Sequence, residues 1–144
     1  MAVIVVPREG EHYLFQRCTL GDLNAPSPMY LRLYTNDYTP IKTSVFSSFT
    51  HCTYTGYTAQ PINKGAWTCV LGTVDAKSYA VTTNPIDFTF VGYAGGGSVF
   101  GFYLTANLNS ADRCICAMRF DASQACYNGL TIRLQPKIIM GDMA

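Results

Sequence analysis

Apolar and polar residues alternate along this chain in short runs, and the runs recur at roughly ten-residue spacing. Leu31 and Leu33 fall on one face of an extended segment, with Tyr30, Arg32 and Tyr34 on the other. Ile86, Phe88 and Phe90 point one way, Asp87 and Thr89 the other. Leu130–Leu134 repeats the alternation, and Pro136 then allows an edge position before Lys137–Met140. Ala66–Val70 and Ser78–Thr82 flank a turn around Gly72–Lys77. Tyr54–Thr58 reads as a short strand whose Gly56 marks a bulge or a close backbone approach. Ser98–Thr105 is apolar on both faces, which predicts a central strand covered on both sides. Cys114–Phe120 is similar but carries Arg119 near its end.

Helix signals are scarce. The spacing of Tyr13, Leu14, Arg17 and Cys18 predicts one short helix over Glu11–Leu20, stopped by Gly21 and followed by a Pro- and Asn-containing loop through Pro28. Ahead of it, Ala2–Val6 is β-prone and ends at Pro7. The pattern therefore predicts an all-β chain: a single antiparallel β-sandwich or jelly-roll-like domain with at most one short N-terminal helix. Residues 1–8 read as an extended arm and residues 9–144 as the sandwich domain. Alternation alone fits several strand orders.

Composition narrows the function classes. A chain of 144 residues can build its own core. With 49% hydrophobic and only 13% charged residues, disorder is excluded. A net charge of +1 argues against nucleic acid as a partner. No apolar run approaches the ~20 residues a membrane-spanning helix needs. The N-terminal run has no basic segment before it and does not read as a signal peptide. Ten Tyr and eight Phe at such low charge suggest that much of the surface is covered by other protein.

Six cysteines, Cys18, Cys52, Cys69, Cys114, Cys116 and Cys126, raise the question of disulfides or zinc. Cys114-x-Cys116 has the wrong spacing for a paired zinc ligand set, and neither His12 nor His51 completes one. Without a secretory signal, buried free thiols are expected, and no metal or cofactor is. No catalytic constellation stands out either, so the chain is not expected to be an enzyme. Gly95-Gly96-Gly97-Ser98 lacks the lysine of a phosphate-binding loop. His51 and Cys52, as sequence neighbours on extended backbone, point to opposite faces and make a poor nucleophile–base pair. Glu9 and Glu11 read as a solvated pair, and the lone Trp67 as core or interface.

One stretch carries more. Leu31-Arg32-Leu33-Tyr34-Thr35-Asn36-Asp37-Tyr38-Thr39-Pro40 places a leucine–x–leucine–aromatic strand before an asparagine–x–x–threonine–proline turn. This resembles a motif of small structural proteins of tailed bacteriophages. The likeness continues through Phe49-Thr50, Tyr54-Thr55-Gly56-Tyr57, Trp67, Phe88-Thr89-Phe90, Val99–Thr105, Arg119-Phe120 and Leu130–Ile138. The chain departs from the pattern at His51, where the family has an acidic residue, and in its cysteines.

The resemblance implies a virion protein, most like the capsid cement or decoration proteins: homotrimers seated on the outside of the shell after synthesis in the host bacterial cytoplasm. Its partners are then further copies of itself and the major capsid protein. Val3, Ile4, Val5 and Val6 are the candidate partner-binding arm, able to add a strand to a capsid subunit or to a neighbouring copy. The other reading of these residues is an edge strand of their own domain. Tyr30, Arg32 and Tyr34 are the candidate subunit interface, as an outward-facing strip. The alternative function is a trimeric head or tail appendage that recognises a host surface glycan through exposed tyrosines and Trp67.

Overall fold

The computed structural model of the chain describes residues 4–19, 28–73, 77–108 and 111–139. The chain is a single all-β domain of antiparallel sheets with one short helix. Val3, the helix stop at Gly21, most of the loop after it and the tail from Met140 lie outside the described residues.

The elements are β1 (Ile4–Val5), α1 (Arg8–Thr19), β2 (Met29–Tyr34), β3 (Gln60–Ile62), β4 (Trp67–Val70), β5 (Tyr79–Thr82), β6 (Ile86–Thr89), β7 (Ser98–Leu108), β8 (Ala111–Ala125), β9 (Thr131–Leu134) and β10 (Lys137–Ile139). A five-stranded sheet has the order β1-β8-β7-β2-β3. Two smaller sheets, β10-β5-β4 and β6-β9, accompany it. The doubly apolar run beginning at Ser98 is indeed the central strand, β7. It pairs with β8 from Ser98↔Ala125 to Leu108↔Ala111, and with β2 from Tyr30↔Thr105 to Tyr34↔Gly101.

Period-two alternation sends β7 side chains to two separate clusters. On one face Phe102, Leu104 and Ala106 join Leu31, Leu33 and Cys116, and this core also takes in Phe88, Phe90 and Ile62. Ile132, Leu134, Ile138 and Trp67 pack against it from the small sheets, so all three sheets share one core. On the other face Tyr34, Tyr103, Cys114 and Ala117 meet Phe49, with Phe46 and Tyr38 at the margin. Each fully buried Leu or Phe contributes about 1.5–3 kcal/mol relative to exposure, and this double burial is why β7 reads as apolar throughout.

Two sequence expectations are corrected, and one strand is an addition to them. Tyr54–Thr58 is a turn, closed by the Tyr57 amide donating to the Tyr54 carbonyl, with Gly56 at φ +84°. Both of its tyrosine rings pack inward, Tyr57 on Phe88 and Tyr54 on Tyr93, which their three-residue spacing permits only because the chain turns. The close approach that Gly56 marks is real, since a Cβ there would strike the backbone of Val91. The helix starts at Arg8, ahead of Glu11. Pro7 provides its first acceptor, taking the Glu11 amide, and Glu9 and Glu11 favour the positive end of the helix dipole. At Gly10 α1 lies directly on β8: a Cβ there would collide with the Ile115 carbonyl. Finally, β3 has no sequence forecast; its Pro61 sits on an edge strand, where a missing N–H costs little.

Candidate partner-binding surfaces

The N-terminal candidates lie at a sheet edge. Ile4 pairs with Met118 and Val5 with Ala117, while Ile4 and Val6 also pack on the main core. After Pro7 the chain continues along the same edge as α1. There a carboxylate takes over from backbone pairing. Glu9 Oε2 accepts the Cys114 amide at 2.8 Å and the Phe46 amide at 3.0 Å, and Glu9 Oε1 faces Arg113 at 3.6 Å. Lys42 Nζ donates to the Val6 carbonyl at 3.1 Å and to Glu11, and the Arg8 amide donates to the Lys42 carbonyl. The free edge of β8 is thus closed by strand, then helix, then a side chain, which removes a template for unwanted pairing. Glu9 is a half-buried cross-link, in contrast to the solvated residue the sequence suggested.

The strip on β2 divides. Tyr30 is 38% exposed and Arg32 is half-buried, but Tyr34 is fully buried. All three share a face, yet the loop carrying Phe46 and Phe49 folds over the Tyr34 end. Tyr34 packs against Phe49 and Tyr103 and donates its hydroxyl to the Tyr38 carbonyl at 3.1 Å. Burial pushes its phenol up to about 12. Tyr34 is therefore a core residue, and the outward strip is corrected to Tyr30 and Arg32. The Arg32 guanidinium lies 5.5 Å over the Tyr30 ring and 5.9 Å over the Phe46 ring. Its Nε donates to Thr105 Oγ1 at 3.0 Å, and Asp112 lies 3.9 Å away. These contacts hold an otherwise flexible cation flat between two aromatic rings. Val45 and Ile41, both exposed, precede Phe46 on the same loop. Sequence reading missed Val45 and Phe46, although an apolar pair in a Ser-rich loop was the available signal.

Other side chains with chemical potential are held inert. Cys52, Cys114, Cys116 and Cys126 are buried free thiols, and Cys69 is an exposed one. Burial pushes Cys52 up to about 11 and Cys116 up to about 12, and it raises Cys114 further, so these thiols stay protonated and unreactive near neutrality. Burial, then the Arg32 charge, lowers the His51 pKa. The His51 ring sits against Tyr57, with Nδ1 3.4 Å from the Tyr103 hydroxyl. Trp67 packs on the core with its Nε1 buried and without a hydrogen-bond partner. Among the described residues no three His, Cys, Asp or Glu side chains gather as a metal site would require.

Comparison of the chain with protein-family models, with curated proteins and with solved structures finds no match.

Proposed function

We propose that this chain is a virion structural protein, a capsid decoration protein that seats on the outside of a phage shell and stabilises contacts between capsid subunits. In this reading it acts as a homotrimer and carries out no chemistry. The observation that carries the reading is the Tyr30–Arg32–Phe46 cluster, with exposed Val45 next to Phe46 in the chain. Aromatic residues and Arg are the types that anchor protein interfaces, and here the Arg is already ordered, so less side-chain entropy is lost on docking. Many weak copies of one such contact, summed over a shell, stabilise a particle without any single contact being strong. The short β1 edge strand supports the same reading. It is held by two residue pairs, so the same pairs can form with a neighbouring copy.

The glycan-recognition alternative draws on exposed tyrosines and on Trp67 presenting its indole. The packing of Trp67 on the core favours decoration over that alternative. Electron cryomicroscopy of whole particles tests the proposal. Density for the chain at three-fold or quasi-three-fold positions on the shell is expected, together with earlier heat rupture of particles that lack it. Density confined to tail or fibres, with stable particles that fail to adsorb, would transfer the assignment to host recognition.

A further inference from the structure

A concavity of about 330 Å³ opens between α1 and the start of β8, lined by Arg8, Glu9, His12, Tyr13 and Arg113. It adjoins the Tyr30–Arg32–Phe46 face through Glu9, which accepts the Phe46 amide, but its basic side chains take no part in that cluster. Arg8 and His12 stand one helical turn apart on the same side of α1, and Arg113 reaches the hollow from the strand. The charges around it do not balance. Glu9 is the acidic residue in the lining, and its Oε2 is already taken by two backbone amides, Cys114 and Phe46. Its remaining oxygen meets Arg113 only at 3.6 Å, beyond good hydrogen-bond length, and the Arg113 side chain is 40% exposed. Among the described residues, the two acids next to the lining in sequence are engaged elsewhere, Glu11 with Lys42 and Asp112 with Arg32. The side chains of Arg8 and His12 make no bond to another described residue. Arg8 also occupies the first position of the helix, where the dipole disfavours a cation.

We infer that this hollow is a binding site for a small tetrahedral oxyanion of the phosphate class, held by Arg8, His12 and Arg113. Donors arrive from a helix and from a strand, so they approach from different directions. A tetrahedral dianion offers more acceptor oxygens and more charge to two arginines than a monoanionic carboxylate does. An anion in the hollow also offsets the unfavourable place of Arg8 on the helix. The site is independent of the decoration reading and stands if that reading fails.

The test is a phosphate titration of the intact chain at constant ionic strength, with chloride and acetate as comparison ions. Melting temperature and the Nε–H resonances of the arginines are read together. A saturable rise in melting temperature is expected with phosphate, with a midpoint in the millimolar range, and the Arg8 and Arg113 resonances should move with the same midpoint. Arg8→Gln, which breaks no bond within the described chain, should weaken phosphate binding at least ten-fold while leaving the circular dichroism spectrum unchanged. Arg113→Gln should do the same, and the wild-type resonances decide the question even if that variant is unstable. Stabilisation that merely follows ionic strength, equal binding in Arg8→Gln, or acetate binding as tightly as phosphate would each overturn the inference.

Discussion

Replacing Glu9 by alanine removes one side chain that touches three elements. Its Oε2 satisfies the amides of Cys114 on β8 and Phe46 in the covering loop, at 2.8 and 3.0 Å. Hydrogen bonds to a charged group contribute about 1.5–3 kcal/mol each, and a buried amide left unpaired costs about 1–3 kcal/mol. The two bonds share one carboxylate and lie near the surface, the Glu9 side chain being 16% exposed, so water offsets part of the loss. A total of about 2–4 kcal/mol is expected for Glu9→Ala. At this chain length that lowers the melting temperature by roughly 6–12 °C. Glu11→Ala is the internal control. It removes a neighbouring carboxylate whose partner Lys42 is 61% exposed, and such a pair contributes about 0–1 kcal/mol. The assay is urea unfolding followed by circular dichroism and by Trp67 fluorescence. A double-mutant cycle with Arg113→Gln separates the ion pair from the amide contacts. If Glu9→Ala and Glu11→Ala cost the same, or if Glu9→Ala costs under about 1 kcal/mol, the view of Glu9 as a cross-link is refuted.

Gly10→Ala poses a contest of opposite signs: alanine favours the helix by about 1 kcal/mol, yet its Cβ would collide with the Ile115 and Cys114 carbonyls of β8. Sterics win, because the obstacle is backbone, and a lower unfolding midpoint in urea is the expected result. Alkaline stability follows from the buried thiols and phenols. Cys52, Cys116, Tyr34 and Tyr103 are raised from 9.0 or 10.0 to about 11, 12, 12 and 12, in each case first by burial. The folded state therefore keeps protons that the unfolded state releases. Stability should be flat up to about pH 9 and fall as pH rises through about 11, with thiol labelling of Cys52 and Cys116 appearing together with unfolding. Exposed Cys69 should label at neutral pH, well before either of them.

Strand positions were legible where a side-chain period had a single cause. β6 alternates because Phe88 is buried while Asp87 and Thr89 face water, and β7 loses its alternation because both of its faces are covered. The reading failed where burial came from something other than a strand. Tyr54 and Tyr57 are inward-facing rings on a turn; their β-favouring residue types suggested a strand, although a spacing of three would put them on opposite faces of one. Tyr34 failed for the converse reason. It has outward parity, but the loop that follows it folds back and covers it, and the alternation within β2 does not reveal that. Of the candidate surface, Tyr30 and Arg32 were visible from alternation alone. Phe46 was not, because its place depends on how the loop from Asn36 to Phe49 folds back. Asn36 anchors that fold through both of its side-chain polar atoms, to the Ser48 carbonyl and the Thr50 amide.

The pairing of Ile4 with Met118 joins residues 114 positions apart, 118 minus 4. During synthesis at about 5–20 residues per second, the first strand waits roughly 6–23 s for its partner. The Glu9 contact with Cys114 waits almost as long. The edge of the central sheet is therefore among the last parts of the domain to form, and non-local closure of this kind is slow. During that interval the apolar N-terminal residues of one nascent chain and the open β8 edge of another are both unsatisfied. When many copies are made together, the timing of synthesis itself then helps decide whether β1 closes on its own chain or on its neighbour's.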